Sequence, residues 1–194
     1  VPNMSFFVKL QMIMRLLRWK RYCNVFDLDQ APPAGSPKFM SARKAVGLIP
    51  DGAVIMGTGM TGTMRPAIIY RAIRTVFQET GRPKGLTWVS SGGAGGRGKV
   101  PGSVEELALD GLLTSFISGH LETARAVLAL GAEDKCELLV LPQGTITQIV
   151  EAQGRGEDSY LTNVGVGTFV DPRVGNGSQA VPGKGRMLVE AEGN

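Results

Sequence analysis

The chain has 194 residues, 43% hydrophobic and 20% charged, which suits one folded domain and excludes a disordered or fibrous chain. No apolar run approaches the ~18 residues of a membrane span. The net charge of +4 comes from residues 1–26, where Lys9, Arg15, Arg18, Lys20 and Arg21 stand without an acid; outside them 16 basic groups face 17 acidic ones, too few for a basic nucleic-acid face.

In chain order, Phe6 to Tyr22 mixes apolar and basic side chains and predicts an amphipathic basic helix. Two readings stay open: a targeting peptide, which is Arg-rich and acid-poor, or upstream sequence outside the fold. Ala31 to Pro37 carries three prolines and predicts a linker, so residues 1–37 form a basic extension with a Pro-rich end and residues 38–194 the folded domain. Ser41 is placed to cap a short helix through Leu48, and Pro50-Asp51-Gly52 turns the chain into a strand over Ala53–Met56. Pro66 opens a helix whose apolar face is Ile69, Ala72, Ile73, Val76 and Phe77, stopped by Gly81 and Pro83.

Leu86–Val89 predicts the next strand. Ser103 with Glu106 three residues on predicts a capping box opening a helix through Leu109. A strand over Leu112–Ile117 follows, then a helix from Glu122 to Leu130 ended by Gly131. Leu138–Leu141 is the fourth strand and Thr145–Gln153 a helix stopped by Gly154. Met187–Glu190 predicts a final strand entering a turn at Glu192-Gly193-Asn194. Its return partner is expected outside the chain, either because the polypeptide is cut short or because another chain supplies it. This alternation predicts an α/β fold: an open, mostly parallel sheet with helices on both faces, a Rossmann-like three-layer arrangement whose closing strands are expected beyond Asn194.

Glycine, 27 of 194 residues, is twice its usual share and concentrates in loops. Gly57-Thr58-Gly59-Met60-Thr61-Gly62 follows a strand and precedes a helix, as a dinucleotide fingerprint does. The second strand ends Val89-Ser90-Ser91-Gly92, without the acid that would hold a ribose, so a nucleotide cofactor is not expected. Gly93 to Lys99 has the spacing of a phosphate-binding loop, but Val100 stands where a magnesium-binding hydroxyl is needed. Two cysteines, Cys23 and Cys136, and one histidine, His120, leave no disulfide framework and no metal site. They fit a reducing compartment, the cytoplasm, or the mitochondrial matrix if residues 1–26 are a targeting peptide. His120 is expected to be structural. Leu141-Pro142-Gln143-Gly144-Thr145 is either an ordinary strand-to-helix turn or one that projects the Gln143 amide into the crevice at the sheet's edge.

Several of these segments, Pro50-Asp51-Gly52-Ala53-Val54, Leu86-Thr87-Trp88-Val89-Ser90, Ser118-Gly119-His120, Leu141-Pro142-Gln143-Gly144 and Val164-Gly165-Val166-Gly167-Thr168-Phe169-Val170-Asp171-Pro172, together resemble the amino-terminal (alpha) half of the family I coenzyme A transferases over residues 39–192. The resemblance implies ping-pong transfer of coenzyme A (CoA) from an acyl-CoA to a short carboxylic acid through a glutamate nucleophile, with no permanently bound cofactor. It implies that Gln143 donates its amide to the oxyanion, and that Gly59, Ser91, Gly92 and Gly119 border the substrate. The family's nucleophile lies in the carboxy-terminal (beta) half, in a Glu-x-Gly setting. Glu79-Thr80-Gly81 has that form but sits at a helix end, so no nucleophile is expected in this chain and a beta half, in cis or trans, is the expected partner. Thr58-Gly59-Met60 replaces the family's Gly-Gly-Phe-like run and leaves the acyl group open. Alternatives are the alpha subunit of a related lyase or decarboxylase acting on an acyl-carrier thiol, a metabolite-binding α/β module, and an inactive fragment.

Overall fold

The computed structural model describes residues 5–22 (backbone only over 19–22), 26–30, 38–57 and 64–191. Among the described residues, four parallel strands form one sheet in sequential order: β1 (Val54–Gly57), β2 (Leu86–Ser90), β3 (Leu113–Ser118) and β4 (Glu137–Val140). The register aligns Ile55, Trp88, Phe116 and Leu138 on one face and Met56, Val89, Ile117 and Leu139 on the other. Because both faces are apolar, both need cover, and the sequence supplies it unequally.

The first face buries its row beneath α2 (Ala42–Val46), α3 (Ala67–Thr80), a short 3-10 turn (Val104–Leu107) and α4 (Arg125–Ala132). Tyr70 of α3 packs on Trp88 with ring centroids 5.0 Å apart. The second face is covered by α5 (Gln143–Gly154), whose Ile146 and Ile149 meet Ile117 and Leu139. That cover centres on β3 and β4, with Val89 of β2 and Val189 partly buried against it, and Val54 on β1 stays 70% exposed. Helices thus lie on both faces of a parallel sheet, as the strand-helix alternation predicts.

Local chemistry sets most boundaries. Ser41 caps α2 by accepting the Lys44 N–H, and Gly81 ends α3 in the left-handed conformation at φ 73°. Three expectations are corrected. The capping box does not form: the Ser103 hydroxyl donates instead to the Lys99 or Val100 carbonyl, and Glu106 turns inward to Arg71 at 3.0 Å. Only a 3-10 turn results. Gly131 does not stop α4 but lies inside it, because Leu138 packs where its side chain would be; a Cβ there would come 2.3 Å from Leu138 Cδ1.

Met187–Glu190 is the third correction, since it is irregular rather than a strand. The place beside β4 is taken by Ser178–Ala180, whose Ser178 carbonyl accepts from Val140 N–H (2.7 Å) and whose Ala180 N–H donates to Leu138 (3.0 Å). The following chain is tied down by polar contacts instead. Arg186 reaches Glu137 at 3.1 Å and Ser115 at 3.2 Å, and Leu188 N–H donates to the Ser178 hydroxyl.

α1 (Phe6–Tyr22) forms as the composition predicts. Residues 26–30 then pack on the body: Leu28 is buried, its carbonyl accepts the Arg43 N–H, and Asp29 pairs with Arg43 at 2.8 Å. The linker over 31–37, the loop over 58–63 and the turn over 192–194 lie outside the described residues.

Candidate active site

Parallel strands end together at one rim, where their loops converge and open α/β sheets bind ligands. Here β2, β3 and β4 deliver the loops that begin at Ser91, Gly119 and Leu141. Two serines knit the first two together. Ser90 Oγ donates to the Gly92 carbonyl at 2.7 Å, while Ser118 Oγ accepts from His120 N–H at 3.2 Å and lies 3.5 Å from that same Gly92 carbonyl. Gly119 N–H reaches back to the Ser90 carbonyl.

Gly119 is the meeting point. A Cβ there would stand 2.3 Å from Gln143 Cγ and 2.7 Å from the Ser91 carbonyl oxygen, so only glycine lets the three residues approach. Gln143 is the first residue of α5, placed by Pro142, whose extended backbone (φ −54°, ψ 135°) turns β4 into the helix. Its carbonyl accepts from the Thr147 hydroxyl, while its carboxamide makes no hydrogen bond among the described residues. The side chain is solvent-exposed, packed through its Cγ over Gly119. An uncommitted neutral N–H donor therefore stands on the rim beside Ser91 and Gly119.

The other residues singled out in the sequence fall elsewhere. Gly92 is buried, with its carbonyl turned to the Ser90 and Ser118 hydroxyls. Gly59 lies outside the described residues. Gly57, the first glycine of the fingerprint-like run, serves packing: a Cβ on it would come 2.1 Å from the Trp88 indole. Glu79 sits at the far end of α3, at the opposite rim from Gln143, and pairs with Arg43. His120 is exposed and its ring lies against Gly93, where a Cβ would come within 2.9 Å of Cδ2.

Sequence reasoning missed the group that shapes the glycine loop. Glu105, 1% exposed, accepts Gly96 N–H at 2.9 Å and Gly98 N–H at 2.8 Å on one oxygen, and Ala126 N–H of α4 at 3.1 Å on the other. The N–H groups that a phosphate-cradling loop would offer are thus occupied by the protein's own carboxylate, a physical reason against that use of Gly93–Lys99. Glu106 beside it is fully buried and bonded to Gly102 N–H and Arg71, which fixes the turn to α3. The available signal was two adjacent acids directly after a glycine-rich loop. The buried Thr123 hydroxyl, without a hydrogen-bond partner among the described residues, faces Gly93 and had no sequence signal at all.

Farther along, Val164–Pro172 is a string of turns closed on Asp171. Its carboxylate accepts Gly167 N–H at 2.8 Å and Arg173 N–H at 3.0 Å, and it takes two bonds of 2.8 Å from the Arg173 guanidinium. The Arg173 pairing, with the two backbone donors, holds that carboxyl far below the usual carboxylate range. Val164, Val166, Phe169 and Val174 all point outward from this rigid turn, each more than half exposed.

The sheet and its rim define an α/β protein built around a ligand-receiving edge, and comparison with known proteins specifies which. The profile described as Coenzyme A transferase matches residues 39–193, and the chain belongs to that family. It is 37% identical over 140 residues to the caffeate CoA-transferase of Acetobacterium woodii, covering 72% of this chain and 26% of that protein. Over 141 residues it is 30% identical to the acetate CoA-transferase YdiF of Escherichia coli K12, with the same coverage. The alpha subunit of acetate CoA-transferase from the same strain is 28% identical over 138 residues, 69% of this chain and 57% of the subunit. The crystal structure of the acyl-CoA transferase YdiF from E. coli O157:H7 in thioester complex with CoA superposes with a TM-score of 0.71 at 27% identity, covering 78% of this chain and 29% of that one. The chain spans about a quarter of the length of the first two relatives.

Proposed function

We propose that this chain is the alpha part of a transferase that moves CoA between an acyl-CoA and a short carboxylic acid by a ping-pong route. A glutamate carboxylate attacks the thioester carbonyl, the C–S bond breaks, and CoA thiolate leaves an acyl-glutamyl anhydride. The thiolate then attacks the glutamyl carbonyl, the acyl group departs as a carboxylate, and the glutamyl-CoA thioester passes CoA to the acceptor acid by the reverse steps. Each addition gathers negative charge on a carbonyl oxygen, and a fixed neutral donor stabilises it without pairing to the nucleophile beforehand.

Gln143 is the donor in this scheme, with Gly59, Ser91, Gly92 and Gly119 bordering the acyl group. The observation that carries the reading is the packing of the Gln143 side chain over Gly119 and Ser91, with its carboxamide uncommitted. The glutamate comes from a beta half not contained in these 194 residues; Glu79, at the opposite rim, cannot serve. A donor in open water is worth far less than one in a dry site, so the beta half also has to cover the rim. The half-covered second face of the sheet and the outward apolar side chains of Val164–Val174 are surfaces suited to such cover.

The test is CoA transfer from an acyl-CoA to acetate by the 194-residue chain, alone and with an added beta half. Turnover is expected only in the mixture, and turnover by the chain alone would contradict the assignment of the nucleophile. Running acyl-carrier thiol acceptors in parallel separates the transferase from a carrier-dependent lyase or decarboxylase.

A further inference from the structure

α1 takes no part in the site described above, and its surface is chemically unusual. Phe6, Leu10, Ile13 and Leu17 recur at steps of four and three, which at about 100° per residue makes an apolar stripe; Phe7, Met14 and Leu16 widen it on both sides, while Val8 and Met12 lie beyond it. These side chains are 41 to 73% exposed, so the body does not cover them. On the same helical wheel Arg15 falls opposite the stripe, with Lys9 and Arg18 on its two flanks. No acid occurs anywhere in residues 1–26, and none of these three cations has an ion-pair partner among the described residues.

From this arrangement we propose that α1 lies flat on an anionic lipid surface, holding the catalytic body at a membrane. The stripe enters the acyl boundary, while Lys9 and Arg18 on its flanks rise to the phosphates, the geometry that long cationic side chains favour at an interface. The helix lies on the bilayer and does not span it, since no described helix is long and apolar enough to cross. A nucleic acid would satisfy the cations but leave the stripe in water. A second α1 would cover the stripe but set Lys9 and Arg18 against like charges, with no acid on the helix to relieve them.

The experiment is sedimentation of the full 194-residue chain with vesicles of phosphatidylglycerol mixed with phosphatidylcholine, and with phosphatidylcholine alone. Binding is expected on the anionic vesicles and to weaken with salt. Each cation near such a surface is worth roughly five-fold in affinity, so K9Q/R15Q/R18Q, which removes both flanking cations together with the outward-facing Arg15, is expected to bind at least about 20-fold more weakly. L10Q/I13Q/L17Q is expected to lose binding while the circular dichroism of the body is retained, since glutamine keeps helix propensity. The proposal is overturned by absence of binding to either vesicle, by equal binding to both, or by affinity unchanged in K9Q/R15Q/R18Q. It is also overturned if a DNA duplex is bound as tightly as the vesicles and L10Q/I13Q/L17Q leaves that binding intact. Self-association without lipid that L10Q/I13Q/L17Q abolishes would assign the stripe to a second copy instead.

Discussion

Replacing Gly119 by alanine tests the geometry of the rim with a single methyl group. The new Cβ would lie 2.3 Å from Gln143 Cγ and 2.7 Å from the Ser91 carbonyl oxygen, both closer than real Cβ atoms come. The Gln143 side chain can swing away. The Ser91 carbonyl has less freedom, because the backbone on either side of it is held: Ser90 accepts from Gly119 N–H and Gly92 from the Ser90 hydroxyl. Overpacking of this kind costs about 1–3 kcal/mol, which in a domain of this size lowers the melting temperature by roughly 2–12 °C. Gly144 is the control, since a Cβ there meets nothing within 4 Å and the residue lies in α5. Gly144→Ala is expected to be neutral or to stabilise by up to about 1 kcal/mol. Thermal unfolding followed by circular dichroism reads both. With the beta half present, displacing Gln143 by about 1 Å is expected to cost turnover on the order of 100-fold. Equal melting temperatures for Gly119→Ala and the parent chain, or equal damage from the two substitutions, would refute the close approach.

Three further outcomes follow from buried or paired groups. Glu105→Gln places an amide nitrogen where a carboxylate oxygen accepts backbone N–H groups, leaving at least one buried donor unpaired; a loss of about 1–3 kcal/mol is expected, with faster amide exchange at Gly96, Gly98 or Ala126, and unchanged exchange would contradict it. Burial, and then the neighbouring Glu137 charge, push the Cys136 thiol up to about 12, so in a Cys23→Ser chain iodoacetamide is expected not to label it at pH ~8 until the protein unfolds. Asp171 binds a proton less readily folded than unfolded, so its contribution is complete above the ordinary carboxylate pKa and disappears only as pH falls through the depressed folded value. The Gly167 amide resonance is accordingly expected to stay fixed through pH ~4 and to move well below it; a midpoint at the ordinary carboxylate value would break the pairing with Arg173.

The fold was legible where one side chain decides locally. Ser41, Gly81 and the short apolar runs of β2 to β4 carry their signals within a few residues, and those elements formed as expected. It failed where a distant group intervened. Gly131 looks like a helix stop until Leu138 is seen to occupy its side-chain space, and the Ser103–Glu106 pair is diverted by carbonyls on one side and by arginines of α3 on the other. Met187–Glu190 has strand composition, but Ser178–Ala180 had already taken the place beside β4. At the rim, Gln143 could be singled out from its position after a strand and Ser91 through the family resemblance, whereas their convergence on Gly119 is a relation between three loops that no single segment encodes. Glu105 was hidden for the same reason, because its partners lie in two separate stretches of chain.

The oxyanion-donor role proposed for Gln143 is tested most directly by Gln143→Ala in the chain combined with a beta half, with steady-state turnover measured beside assembly. Loss of one preorganised oxyanion donor predicts a fall of about 100- to 1000-fold in turnover with assembly unchanged. Turnover within a few-fold of the parent enzyme would contradict the account.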